Sequence, residues 1–204
     1  MERLAVALKR TARFSVFDIL STEDRGSFNQ DPTRYFDGIP RSVVECGVLV
    51  LNESSLLEKA RLTKRIVELW KCGEVTLETH VRGHVPIPSK PNRCTAVVSS
   101  SSYPPALPKL IRRNSIEITI HGIATAESFA VDLFWDCIAR FSHITLPKDY
   151  YDELVEIAGQ EADHFMSWVN RLEALNCPFG SLPMHDGLWK AAEQTSGTIA
   201  SFSQ

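Results

Sequence analysis

Two long stretches with helical spacing, joined by a short turn, constrain this chain most strongly. Apolar side chains recur at steps of three or four in two series, first at Ile116, Ile120, Ile123, Val131, Phe134 and Ile138, and then at Leu154, Ile157, Phe165, Trp168 and Leu172. That period places side chains on one face of an α-helix. The segment from Ser142 to Pro147 is long enough only to turn the chain, and a short link makes two helices antiparallel neighbours. The sequence therefore predicts an all-α fold built around a helix pair.

Each apolar series contains one acidic residue where a leucine would be expected. Glu127 interrupts the first series, Glu161 interrupts the second, and His164 follows Glu161 by one helical turn. A carboxylate without a partner is costly in an apolar interior, so it is normally protonated, ion-paired or bound to a metal. Residues three apart on a helix have Cβ atoms roughly 5–6 Å apart, which lets a carboxylate and an imidazole reach one ion. The spacing predicts a metal site, with a chance Glu-x-x-His as the alternative.

The two acids are predicted to lie at the same level of the helix pair. Glu127 precedes Ser142 by 15 residues and Glu161 follows Pro147 by 14. Each interval corresponds to about 21–23 Å of helix at ~1.5 Å per residue. Two antiparallel helices would therefore bring the carboxylates together, and we expect them to share a buried face with His164.

Four segments carry a family resemblance. They are Glu127 to Phe141 (ESFAVDLFWDCIARF), Ala158 to Phe165 (AGQEADHF), Leu182 to Trp189 (LPMHDGLW) and Leu57 to Gly73 (LEKARLTKRIVELWKCG). In these segments the chain resembles the ferritin-like family called domain of unknown function 455. The resemblance covers most of the chain from about Gly47 onward. The resemblance implies an incomplete ferritin-like helical bundle: an antiparallel helix pair, flanking helices and a long Pro/Ser-rich connector. We expect the C-terminal part of the family's bundle to be missing.

The same resemblance implies a two-metal carboxylate site for iron or manganese, as in ferritins and the tRNA-hydroxylating di-iron enzymes. Glu127 would match the first-helix Glu of the family, and Glu161 and His164 its second-helix pair. Thr125 stands where the family usually has a His, and Asp132 where a second Glu is common. The chain has no other Glu-x-x-His. We therefore expect half of the site here, completed by a second copy in a homodimer or by partner helices.

The resemblance implies an oxygen-dependent oxidoreductase as the activity. The alternative is a non-catalytic truncated bundle that acts through a partner or has no independent activity. A net charge of -3 gives no general attraction to nucleic acid or to an acidic membrane, although the resemblance keeps a tRNA substrate among the alternatives. No apolar run of about 18 residues predicts a membrane span.

Three regions follow from composition and from the extent of the family resemblance. Residues 1–46 are predicted to form an N-terminal arm, and residues 47–204 a partial helical domain with a connector at residues 81–108. The first residues (MERLAVALKRTARFSVFDIL) are amphipathic and basic, as in a mitochondrial transit peptide, but Glu2 favours a plain helix or arm and a cytoplasmic protein. The five cysteines lack C-x-x-C spacing, so neither a zinc knuckle nor a disulfide framework is indicated.

A third helix is predicted before the connector. Ser54 or Ser55 can cap its start and Gly73 can end it in the left-handed conformation. Its outward face is predicted to carry four basic residues, Lys59, Arg61, Lys64 and Arg65. We interpret this face as solvated rather than RNA-binding, because no aromatic residues lie among the basic ones.

Four histidines other than His164 are expected to have structural roles. His121 lies at the edge of the first apolar series and is expected to be satisfied by backbone or water, with support of a bound ligand as the alternative. His185 is expected to fasten its loop by hydrogen bonds, with a position in a pocket as the alternative. His80 and His84 are expected to lie in a solvent-facing loop, with metal binding by the pair as the alternative.

Overall fold

The computed structural model describes residues 35–36, 38–77, 86–93, 97–98 and 115–200, and these residues are mostly helical. The helices are α1 (Val43–Asn52), α2 (Leu56–Lys71), α3 (Ser115–Arg140), α4 (Lys148–Ala174) and α5 (Gly187–Ala200). The strands have two residues each: β1 (Tyr35–Phe36), β2 (Ile39–Pro40), β3 (Val97–Val98) and β4 (Met184–His185), of which β3 and β4 pair in parallel. The prediction of an all-α bundle is confirmed.

Some predicted features lie outside the described residues. They are the amphipathic N-terminal segment, the His80 and His84 pair, most of the proline- and serine-rich connector, and the side chain of His185. Within the part of the chain that is described, none of the helices is both long enough and apolar enough to cross a bilayer.

The helix pair predicted from the spacing is the centre of the bundle. α3 ends at Arg140 and α4 starts at Lys148, so the turn between Ser142 and Pro147 is confirmed. α3 and α4 pack along each other, with α1 against α3 and α2 against α4. Gly47 of α1 allows close packing, since a Cβ there would lie 3.1 Å from the carbonyl oxygen of Trp135.

Local signals place the ends of the helices. The Ser55 hydroxyl accepts a hydrogen bond from the backbone N–H of Glu58 at 3.3 Å, as an N-cap does. Gly73 has a φ of 79° after α2, and Asn176 has a φ of 55° after α4. The left-handed conformation favours glycine and tolerates asparagine. The predicted cap and stop of α2 are therefore both confirmed.

The buried faces of α3 and α4 are broader than the predicted apolar series. Ile116, which opens the first series, is 54% exposed. The most buried residues also include many that the series omitted: Ala124, Phe129, Trp135 and Ala139 on α3, and Tyr151, Val155, Ala158 and Ala162 on α4. α3 contacts more than one neighbour, so its burial covers a wide arc instead of a single stripe.

A buried ionic network joins α2, the connector and α5 to α3. Asp132 of α3 accepts hydrogen bonds from Lys59 of α2 at 2.5 Å and from Arg93 of the connector at 2.8 and 3.0 Å. Arg93 also donates to Asp186, directly before α5, at 2.8 Å, and its guanidinium lies 3.7 Å from the centre of the Phe129 ring. The prediction that Lys59 lies on the outward face is wrong: its charge is satisfied inside the bundle by Asp132.

His121 has the structural role expected from its position. Its Nε2 atom accepts a hydrogen bond from the backbone N–H of Gly180 at 3.0 Å, and its ring stacks on Phe179 at 5.1 Å. Phe179 in turn meets Phe165 of α4 edge to face. Burial lowers the pKa of His121, which keeps the ring neutral and Nε2 able to accept. The loop after α4 is thus held against α3.

Candidate metal centre

The helix pair brings together the three residues predicted from the spacing. One ligand atom each from Glu127 of α3 and from Glu161 and His164 of α4 lies within 4.8 Å of the other two. The two acids do lie at the same level, as the count from the turn predicts. The described residues contain no other group of three or more His, Cys, Asp or Glu so arranged.

The separations of the donor atoms fit a metal ion. Nδ1 of His164 lies 3.4 Å from Oε2 of Glu161 and 4.0 Å from Oε2 of Glu127. Ligands bound at about 2.1 Å are about 3.0 Å apart when adjacent on an ion and about 4.2 Å apart when opposite. Both observed distances fall within that range. The donor set of two carboxylates and one imidazole suits iron, manganese or zinc.

The cluster lies at the edge of the helix pair and not in its interior. The Glu127 and Glu161 side chains are 23% and 20% exposed, whereas His164 is 58% exposed. The prediction that Glu127, Glu161 and His164 share a buried face is therefore wrong, because the two acids are only partly buried and His164 is exposed. The neighbouring helices pack against a wide arc of the helix pair, and the three donors lie at the edge of that arc. Solvent or another molecule can therefore reach the imidazole of His164.

The Glu127 carboxyl group lies beside that of Glu161, with donor atoms within 4.8 Å of each other. Burial and the nearby Glu161 carboxyl group raise the pKa of Glu127 to about 7, while the neighbouring His164 acts in the opposite direction. Glu127 therefore keeps its proton to a higher pH than an ordinary Glu side chain does. A cation bound between the carboxylates would take the place of that proton.

Two positions where the chain departs from the family resemblance lie away from this cluster. Asp132 is five residues after Glu127, which turns it about 140° around the helix, and its carboxylate is held by Lys59 and Arg93. The Thr125 hydroxyl donates to the carbonyl oxygen of His121. Neither residue belongs to the donor group.

Trp168 is the residue beside this site that the sequence analysis missed. It belongs to the apolar series of α4, yet it lies close enough to Glu127 to lower the pKa of that carboxyl group. The available signal was its spacing, seven residues after Glu161 and four after His164, which places all three on one helical face.

Fold and site together define a class: an all-α bundle that presents a carboxylate and imidazole cluster on an antiparallel helix pair. The chain belongs to the family described as "Protein of unknown function (DUF455)", which matches residues 52–203. This match spans α2 to α5 and includes all three donors. No curated protein and no solved structure matches the chain.

Proposed function

We propose that this chain is a ferritin-like metal-binding protein that supplies half of a two-metal carboxylate site for iron or manganese. The observation that carries the proposal is the convergence of Glu127, Glu161 and His164 within 4.8 Å. Three donors of two kinds, contributed by two helices, match the Glu plus Glu-x-x-His half of a ferritin-like site.

The reaction class that goes with this proposal is an oxygen-dependent oxidation or hydroxylation. Iron or manganese supplies redox chemistry and an open coordination position for the oxidant when bound. Within this chain, Glu127 and Glu161 would hold the ion through their carboxylates, and Glu127 would give up its proton on binding. His164 would bind through Nδ1 as a neutral imidazole, which is the form that ligates metals.

A second copy of the chain is the proposed partner. Three protein donors are fewer than the four or more ligands that these ions normally take. His164 is 58% exposed, so another molecule can approach the cluster from the open side. Two copies related by a two-fold axis would supply four carboxylates and two imidazoles, the complete ferritin-like set. Partner helices from another protein are the alternative source.

Metal analysis and mass in solution test both parts of the proposal. Protein purified without chelator should contain iron or manganese and should behave as a dimer that dissociates when the metal is removed. Glu161→Gln should abolish metal binding. Glu156→Gln is the matched control, because Glu156 is an exposed acid of the same helix in the groove between α2 and α4.

The outcomes separate the proposed function from its rival. A folded, metal-free monomer that takes up neither iron nor manganese would support the non-catalytic bundle and end the homodimer proposal. Metal binding that survives Glu161→Gln would contradict the site. Loss in both Glu161→Gln and Glu156→Gln would indicate general attraction of cations by acidic residues instead of specific coordination.

A further inference from the structure

We infer that the accessible side of α3 beside Glu127 is the surface through which a second copy of the chain docks to complete the metal centre. This inference rests on the proposed function, and it names the contact surface that a shared site requires. Between residues 122 and 134, the positions of α3 that are not buried are Glu127 and six uncharged residues: Gly122, Ile123, Ala126, Ala130, Leu133 and Phe134. We call these six residues the α3 face.

The α3 face is one continuous surface that borders the donor cluster. At about 100° per residue, the six residues and Glu127 lie within an arc of about 140° around the helix. Glu127 lies at one edge of that arc, beside Glu161 and His164 of α4. On α4, Ile157 precedes Glu161 by four residues, Trp168 follows His164 by four, and both are half-buried. Apolar side chains therefore border the donors on both helices, as in an interface with an apolar centre.

The exposed residues of α3 differ in kind from those of its neighbours. In α2 the exposed residues are all charged: Arg61, Lys64, Arg65, Glu68 and Lys71. In α4 the exposed residues are all polar apart from Ala174 at the C-terminal end. In α3 the residues described as exposed are Ile116, Thr119, Gly122 and Ala126, none of which is charged. A charged outer side suits a helix to water, whereas an apolar outer side is normally covered by another element.

The incomplete donor cluster indicates that a second copy covers this surface. Glu127, Glu161 and His164 supply three ligands, and His164 is 58% exposed. A two-fold interface uses the same patch on both subunits, so a second copy would bring the same two carboxylates and imidazole to the same place. Cations bound between the two sets of carboxylates would offset the negative charge that the contact buries.

Small residues on the α3 face permit the close approach that a shared ion requires. Gly122, Ala126 and Ala130 are four residues apart, so they follow one another along one side of α3. Ligands on opposite sides of an ion are only about 4.2 Å apart, and helix axes approach to about 8 Å when the side chains between them are small. A Cβ added at Gly122 would meet no described atom within 4 Å beyond its own helix backbone.

Sedimentation of the full chain in the presence of Mn²⁺ tests this surface. Ala126→Arg adds a charge in the middle of the α3 face, at an exposed position where the guanidinium stays hydrated in the monomer. Docking through this face would bury the guanidinium without a partner, so the dissociation constant of the dimer should rise roughly 100-fold or more.

Asn170→Arg is the matched control. Asn170 is an exposed residue of α4, and it follows Glu161 by nine residues, which places it on the opposite side of that helix. The variant adds the same charge to the same helix pair away from the α3 face. It should dimerise as the unmodified chain does.

Mn²⁺ binding, measured on the same samples from the electron paramagnetic resonance signal of the free ion, separates this inference from the proposed function. An unmodified chain that binds Mn²⁺ as a monomer would overturn the docking surface and leave the metal site standing. So would a dimer that Ala126→Arg leaves intact. A dimer that Ala126→Arg disrupts but that binds no Mn²⁺ would support the surface and overturn the proposed function.

A second measurement uses only the unmodified chain. In methyl NMR spectra, a soluble nitroxide broadens the resonances of methyl groups that solvent reaches. Addition of the diamagnetic ion Zn²⁺ should protect the Ala126 methyl group from this broadening, because a second copy then covers it. The methyl group of Ala174, exposed at the end of α4, should broaden as before. Unchanged broadening of Ala126 in the Zn²⁺-bound chain would overturn the inference.

Discussion

Lys59 and Asp132 form an ion pair that is inaccessible to solvent, with Nζ of Lys59 2.5 Å from Oδ1 of Asp132 and side-chain exposures of 1% and 0%. The pair joins α2 to α3. Desolvation disfavours both charges, since burial raises the pKa of Asp132 and lowers that of Lys59, and their mutual attraction opposes both shifts. Arg93, held against the same carboxylate, adds a second positive charge.

Removal of Lys59 should destabilise the bundle strongly. Breaking a buried pair typically costs about 3–5 kcal/mol, because the remaining charge loses its partner. Arg93 still contacts Asp132, so Lys59→Met should lower the free energy of unfolding by about 3 kcal/mol, at the lower end of that range. Lys64→Met is the control, since Lys64 pairs with Asp163 at an exposed site and should cost less than ~1 kcal/mol. Equal effects in urea unfolding would contradict the prediction.

Loss of Arg93 should loosen α5 more than the rest of the bundle. Arg93 links Asp132 of α3 to Asp186, directly before α5, so Arg93→Met removes the bridge between them. Amide hydrogen exchange should become faster throughout α5 and change little in the α3 and α4 pair. Arg140→Met serves for comparison, because Arg140 donates to the carbonyl oxygen of Pro88 in the connector and to Asp136 of its own helix. If the amides of α5 exchanged at an unchanged rate in Arg93→Met, Arg93 would not be what holds α5 against α3.

Two glycines should respond to alanine with opposite signs. A Cβ at Gly47 would lie 3.1 Å from the carbonyl oxygen of Trp135, a backbone atom that can give way only if α1 and α3 move apart. Gly47→Ala should lower the unfolding free energy by about 1–3 kcal/mol. Gly122 lies within α3, and among the described residues nothing beyond the adjacent backbone of its own helix comes within 4 Å of an added methyl group, so Gly122→Ala should raise the unfolding free energy by about 0.5–1 kcal/mol. Thermal unfolding of both variants measures the difference, and a shift of the same sign in both would contradict it.

The contribution of Glu127 to the stability of the metal-free protein should fall as the pH rises towards neutrality. The pKa of Glu127 is raised from 4.5 to about 7 in the folded chain, so the folded state binds a proton that the unfolded state releases. The resulting stabilisation is complete below pH 4.5 and is lost as the pH rises to about 7. Urea unfolding with chelator present, at several pH values, measures this loss.

Glu127→Gln identifies the source of that pH dependence. The variant cannot titrate at position 127, so the unfolding free energy of the unmodified protein, relative to that of the variant, should decrease between pH 4.5 and about 7. Glu156→Gln, which changes an exposed acid on the other side of α4, should leave the slope unchanged. A relative stability that rises over this interval would show that Glu127 is ionised in the folded chain.

Local sequence signals predicted the helices and the alignment of the donors. The apolar period, the Ser55 cap, the Gly73 stop and the turn after Arg140 each depend on residues close together in the chain. The level of Glu127 relative to Glu161 follows from equal distances to one short turn, and it is confirmed. Each of these features is determined by residues that lie within a few helical turns of one another along the chain.

How deeply the donor residues are buried could not be predicted from local spacing. A period of three or four identifies an apolar stripe, but it does not say how many helices will pack around it. Because α3 meets α1, α2 and α4, its buried arc extends past the predicted stripe. Glu127 and Glu161 lie at the edge of that arc, and His164 lies beyond it.

The sequence by itself determined that this chain is helical, where its central helices begin and turn, and that two acids and a histidine meet at one level. Only the tertiary structure decided that Lys59 is buried against Asp132 and that Arg93 joins α3 to the start of α5. Each of these pairings joins separate elements of the chain. Helical spacing specifies the face from which a side chain projects, whereas its partner depends on which distant element packs against that face.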